Sequence, residues 1–331
     1  MKLASLKNGS RDGALAVVAR DLSKCVPVPR LAHTLQHAIE TWSTTAPKLK
    51  AIYNHLNDGT AEHTEPFAPE RAESPFPRAY QFLDGSVYLS HMQKARKARG
   101  AEMPANFDTE PLMYQGMSDG FIGPVDDMLL PTDDLGVDFE AEIAVVVDDV
   151  PMGTSAVDAV SHIKLVMLLN DFTLRTLTRS ELPKGFGFMQ AKPTSGFSPV
   201  AVTPDELPQW DGQKLNVRLI SSVNGRKVGS PHAGHDMFFT YPQLIAHAAR
   251  TRKLGAGTIL GAGTVANKHE GSGSSCIAEV RANEELAHGK PSTPFLKFGD
   301  RVRIEVLDEA GRSIFGAIDQ RVTKAPAAAT E

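Results

Sequence analysis

The chain has 331 residues, 41% of them hydrophobic, and 35 Lys and Arg stand against 39 Asp and Glu for a formal charge of −4. That is length for one large domain with a smaller companion and an ample core, while the interspersed charges and the lack of a basic stripe, a polybasic or amphipathic segment, or a transmembrane-length apolar run argue against nucleic-acid and membrane partners. Two cysteines far apart, Cys25 and Cys276, and an N-terminus without an apolar signal segment give the expectation of a reducing, cytoplasmic setting.

In chain order, residues 2–6 and 14–19 read as short strands about the turn 8–13, a small β-meander. Helices are predicted at 34–41, from Leu35, Ile39 and Trp42, and at 46–57, where Leu49, Ile52, Tyr53 and Leu56 make one apolar side. Prolines 66, 69, 75 and 77 preclude a regular helix or central strand there, so a small accessory domain over 1–74 and a second domain over 75–331 are expected. The second domain opens with an apolar run ending at Asp84, followed by a helix at 91–98 and a loop bearing Pro104, Pro111 and Gly116. One long strand is predicted over 137–147, then a turn at 151–153. A helical start at 156 gives way to an apolar strand ending at Asn170-Asp171. Strands follow at 199–202 and 215–223, the latter running into the hairpin signal Asn224-Gly225, then a helix at 241–252 and a Gly-rich segment at 254–264. Strands at 301–307 and 313–322 close the domain, and a frayed tail begins at Lys324. Many short strands and few helices describe a β-rich α+β fold rather than a doubly wound α/β sheet.

The stretch 137–147 organises the chemistry. As a strand it sends Val137, Phe139, Ala141, Ile143 and Val145 one way and Asp138, Glu140 and Glu142 the other. Alone, that acidic face is a solvated edge; with a positive partner between the glutamates it is a cation site. Asp171, ending an apolar strand, is either a turn or cap residue or projects into a cleft, and Asp84 also follows an apolar run, with His91 seven residues on. Asp84, Glu140, Glu142 and Asp171 together would make an all-oxygen cage suited to Mg²⁺, Ca²⁺ or Mn²⁺ rather than zinc.

Four segments in this order and spacing resemble the fumarylacetoacetate hydrolase family, over about residues 81–323: Leu83-Asp84 with His91, 137–144, 169–175, and Gln190-Ala191-Lys192 leading to Ser198-Pro199. The N-terminal stretch resembles the small SH3-like domain of longer members. The resemblance implies a mixed β-sandwich/β-roll catalytic domain, a homodimer, and hydrolysis of a C–C bond in a diketo acid at the end of an aromatic catabolic pathway. Fumarylacetoacetate is the leading substrate; acylpyruvates, and the decarboxylases, hydratases and isomerases of the family, are the alternatives. It implies Asp84, Glu140, Glu142 and Asp171 as metal ligands and His91 as the base, in a dyad with Glu279. Lys192 is implied at the reacting carbonyl or enolate, and Arg99, Tyr114, Arg175 and Thr264 as substrate contacts. Asp138 has no ligand counterpart and is read as a supporting or strand-end residue. The pattern departs at Thr176, where an Asp is usual, and at Thr178, near a substrate-placing glutamine.

Other features have plainer readings. Cys276 is taken as a small buried residue, His232 and His235 as loop histidines without a third zinc ligand, and 271–275 as a flexible loop rather than a phosphate cradle. Lys94, Arg96 and Lys97 are expected on a solvated helix face. A non-catalytic Ca²⁺-stabilised module is the reading outside enzymes.

Overall fold

The computed structural model describes residues 1–97, 102, 103 and 105–326. Among these, an 11-stranded sheet dominates. Its central strand is Ala141–Val147, seven buried residues paired antiparallel on one side with Ile163–Asn170 and on the other with Ile259–Gly261. Both faces are covered. Ile143, Val145 and Val147 join one apolar cluster and Ala144 and Val146 the other, so the alternation read from the sequence partitions the core. Phe82–Gly85 pairs parallel to Ile259–Gly261, and Met113–Gly116 pairs antiparallel to Phe82–Gly85 and ends the sheet. At the other end, Lys2–Leu6 joins through Ala201–Val202, followed by Ala14–Val18, Lys24–Pro27 and Glu65–Pro66. The N-terminal meander thus continues the same sheet, with the helices Leu35–Glu40 and Trp42–Asn57 packed against it. A five-stranded sheet holds Arg226–Gly229, Ile220–Val223, Arg301–Glu305, Ile318–Lys324 and Met128–Leu130.

Several boundaries differ from the sequence reading for identifiable reasons. The predicted strand 137–147 breaks at Phe139-Glu140. There Asn170 Oδ1 accepts the Glu140 N–H and the Glu140 carbonyl accepts from Asp171, so Val137–Asp138 swings out to pair with Thr173–Leu174. The second helix runs back to Trp42 and carries Pro47 inside it. An internal proline costs about 3 kcal/mol; burying Leu49, Tyr53 and Leu56 offsets that at roughly 1.5–3 kcal/mol per large side chain. The 241–252 helix stops at Ala248, and 215–223 is a strand only over Ile220–Val223, with Asn224 and Gly225 at φ 52° and 74° making the expected hairpin turn. Two helices are additional to the sequence reading, Arg175–Glu181 and Ile277–His288. Among the described residues no helix is long and apolar enough to cross a membrane.

Candidate active site

Three strands of the large sheet deliver three carboxylates to one point. Asp84 lies in register with Gly261 and Tyr114, Glu142 faces Leu169 across the ladder, and Asp171 follows directly on Asn170. The side chains are buried, with Glu142 fully so, and each offers an oxygen within 4.8 Å of the others. Gly261 permits this, since a Cβ there would strike Asp84 Oδ1. The Gly263 N–H donates to Asp84 Oδ1 at 3.0 Å and to Glu142 Oε2 at 3.1 Å, whereas Glu142 Oε1 is buried without a donor. Burial, with Asp171 adding its charge, pushes the Asp84 carboxyl up to about 8. Burial and the charges of Asp84 and Asp171 drive Glu142 well above the carboxylate range. An oxygen-only set with an orphaned acceptor and two carboxyls that resist ionising fits a hard divalent cation.

Glu140, expected as the fourth ligand, turns elsewhere. Its Oε1 accepts from Arg175 at 2.7 Å and its Oε2 from Lys192 Nζ at 2.5 Å. Burial alone would raise its pKa, but Lys192 and Arg175 outweigh that and hold it below the usual range. The carboxylate cluster is therefore three residues, and the reason is local: a buried lysine and a part-buried arginine hold Glu140. Lys192 also reaches Asp171, which takes the Tyr114 hydroxyl at 2.5 Å and the Ser195 hydroxyl at 2.8 Å.

The second cluster joins two helices. His91, on Leu89–Lys97, directs Nδ1 to Glu279 Oε2 at 3.3 Å, and Lys94 donates to Glu279 Oε1 at 2.8 Å. Burial would raise the Glu279 pKa, but His91 and Lys94 bring it below the ordinary value. Lys94 thus belongs to the site, not to the solvated face expected of it. Glu279 is the third residue of Ile277–His288, which Cys276 caps through Sγ and which Asp138 clamps by accepting the N–H groups of Ile277 at 2.7 Å and Ala278 at 2.9 Å. Asp138 also takes Arg175 Nε at 2.8 Å, so it is neither a ligand nor merely a strand end: it ties the helix to the strand.

A cavity of about 740 Å³ joins the two clusters and is lined by Asp84, His91, Tyr114, Glu140, Glu142, Arg175, Lys192 and Thr264. Arg96, Arg179 and Arg281 add positive charge to its wall, with Phe188 and Phe295 among its apolar lining. Phe188 meets the Tyr114 ring edge-on at 5.1 Å. Arg99 lies outside the described residues. His232 and His235 stack at 3.7 Å between ring centroids, and no third ligand joins them among the described residues. The loop 271–275 packs on the central strand, Ser275 accepting from the Ala141 N–H at 2.9 Å.

Residues 81–323 match the family profile described as fumarylacetoacetate (FAA) hydrolase C-terminal, and residues 1–78 match fumarylacetoacetase N-terminal domain 2. The chain belongs to the fumarylacetoacetate hydrolase family. Within it, a 2,4-didehydro-3-deoxy-L-rhamnonate hydrolase from Sphingomonas sp. (strain SKA58) is 27% identical over 201 residues, 60% of this chain and 62% of that protein. A human mitochondrial oxaloacetate tautomerase is 28% identical over 159 residues, 47% of this chain and 48% of that protein. The chain therefore matches less than two thirds of either relative's length. Two solved structures share the fold over 98% of this chain and 100% of theirs, at 17% identity. One is a fumarylacetoacetate hydrolase from Exiguobacterium antarcticum, TM-score 0.67. The other is a maleylpyruvate hydrolase from Sphingobium sp. SYK-6 in complex with manganese(II) and pyruvate, TM-score 0.64.

Proposed function

We propose that the chain is a divalent-cation-dependent enzyme that hydrolyses a C–C bond of a 1,3-diketo acid. Fumarylacetoacetate, giving fumarate and acetoacetate, is the leading substrate, with fumarylpyruvate-type acylpyruvates as the alternative. The observation that carries this reading is that His91, paired with Glu279, lines the same cavity as Asp84 and Glu142. Asp84, Glu142 and Asp171 would hold Mg²⁺, Ca²⁺ or Mn²⁺, which when bound supplies Lewis acidity at the substrate oxygens. Manganese in the maleylpyruvate hydrolase structure supports that choice of ions.

The chain's own groups supply the rest. Glu279 holds the Nδ1 proton of His91 and stabilises the imidazolium, while Nε2 takes a proton from water. The hydroxide oxygen bonds to one carbonyl carbon, the C–C electron pair leaves with the departing fragment, and the imidazolium returns the proton to it. Lys192 provides fixed positive charge where negative charge develops, and its buried position makes that charge effective. Tyr114 and Thr264 line the cavity as substrate contacts, and Arg175 steadies Glu140 beside them.

A second reading, supported by the tautomerase relative, is keto–enol tautomerisation of an oxo acid, in which His91 moves a proton between carbon and oxygen and the skeleton stays whole. The test is a turnover screen of cation-loaded protein on fumarylacetoacetate, fumarylpyruvate and oxaloacetate, with products identified. Fumarate with acetoacetate or pyruvate supports hydrolysis. Enolisation of oxaloacetate alone supports the second reading. Three unchanged substrates refute both.

A further inference from the structure

A second donor set stands beside the oxygen cluster and differs from it in kind. Cys276, His91 and Glu279 bring a sulfur, a nitrogen and an oxygen within 4.8 Å of one another. Hard dications select all-oxygen sites, whereas thiolate and imidazole with one carboxylate select zinc, commonly as three protein ligands with a fourth position open. We propose that Cys276, His91 and Glu279 form a binding site for zinc or a similar borderline-soft dication, and that its occupancy at His91 Nδ1 inhibits the enzyme by leaving the base nitrogen Nε2 protonated.

The fold builds this set. Cys276 caps Ile277–His288 and Glu279 is three residues on, so the capping turn brings Sγ to 3.3 Å from the Glu279 N–H and aligns the two side chains. His91 enters from the other helix with Nδ1 at 3.3 Å from Glu279 Oε2. Lys94 is held on the other carboxylate oxygen, Oε1, at 2.8 Å, which leaves Oε2 for a cation. Cys276 and Glu279 are buried, while the His91 side chain is 14% exposed and lines the cavity, so the cavity is the route in. The remaining charges near the thiol are Asp138, Arg175 and Glu140, and Arg175 pairs with both acids. Without a cation, burial keeps the thiol neutral, acting as a cap.

The proton balance gives the inhibition. On binding, the Cys276 thiol loses its proton to solvent and the Nδ1 proton of His91 passes to Nε2. Nε2 then carries a hydrogen and has no lone pair for the proton of water. No oxidation or reduction is involved. The inhibitory half rests on the role proposed for His91 above; the binding half does not.

The test uses the full chain saturated with Mg²⁺ and titrated with Co²⁺ as a spectroscopic substitute for zinc. A thiolate-to-cobalt charge-transfer band is expected in the near ultraviolet, saturating at a single equivalent and bleached by Zn²⁺. Cys276→Ser keeps an oxygen cap for the helix and should lose the band. No band in the wild type, or a band that survives in Cys276→Ser and so belongs to Cys25, overturns the site. In turnover assays, Zn²⁺ should inhibit the Mg²⁺-loaded wild type roughly 10–100-fold more strongly than Cys276→Ser; equal inhibition overturns the inhibitory half. With no turnover on any diketo acid, the function proposed above fails and the cobalt titration alone decides the site.

Discussion

Replacing Asp138 by Ala tests whether the clamp on the helix Ile277–His288 holds the site together. The carboxylate takes two backbone N–H groups, of Ile277 and Ala278, and Arg175. Burial raises its pKa, and Arg175 with the two amides recovers only part of that. The sign follows. A carboxyl raised in the folded state contributes stability that is fully present below its ordinary pKa and lost as pH rises through the folded value, so at neutral pH the charge itself is not what stabilises. The cost of Asp138→Ala comes from the groups it abandons. A buried donor and a part-buried donor left unpaired cost about 1–3 kcal/mol each, and water entering the vacated space returns some of it. Arg175 keeps Glu140 at 2.7 Å and its side chain is 20% exposed, so its loss is discounted to about 1 kcal/mol or less. A total near 3 kcal/mol is expected, with about half for Asp138→Asn, whose oxygen still accepts one amide. Urea unfolding with an unchanged slope is the measurement, and kcat should fall with stability because the clamped turn carries Glu279. A loss under about 0.5 kcal/mol, ordinary for a surface change, refutes the clamp.

Glu142→Gln removes a buried carboxyl that resists ionising. Cation-free stability should hold or rise while cation binding weakens at least ~10-fold, read as the loss of the Mg²⁺-induced rise in Tm. Asp84 is raised to about 8 without a cation, so cation affinity should climb as pH rises toward 8, with protons released on binding. By the same linkage the cation-free protein should lose stability as pH rises from about 4 to 8; calorimetry in buffers of different ionisation enthalpy and melts across pH check both. His91→Ala should lower kcat by about 10²–10⁴ and leave stability within about 1 kcal/mol of wild type, measured by steady-state kinetics and urea unfolding.

The fold was legible where burial imposes period two. The odd positions of 137–147 do enter one apolar cluster, and Ala144 and Val146 do enter the other. What alternation cannot report is a ladder group claimed by a side chain, and Asn170 Oδ1 on the Glu140 N–H is that event. The helix carrying Glu279 was signalled by Glu279 three residues after its cap and by Gly289 just past its end at φ 76°, yet its cap is a cysteine, which propensity does not mark as one. The helix over 46–57 was legible from its apolar face, but its first turn back to Trp42, ahead of Pro47, was not, because the tertiary burial of that face offsets the proline.

At the site, residue type was legible and allegiance was not. Asp138, Glu140 and Glu142 are equivalent by alternation, and all three are buried. Each has a different fate because each meets a different element. Asp138 meets the N-terminus of Ile277–His288, Glu140 meets Arg175 and Lys192, and Glu142 meets Asp84 and Asp171. Those partners come from segments separated in sequence, so spacing along one strand carries no information about them. The consequence is chemical. Arg175 joins Asp138 to Glu140, so the cap of the helix bearing Glu279 and the cation pair at Glu140 are held by one guanidinium. Glu142, with no such ion pair among the described residues, is left with one unpartnered oxygen in a cluster with two other acids. A strand face that satisfies two of its acids internally and leaves the third to an external positive charge is what a cation site requires.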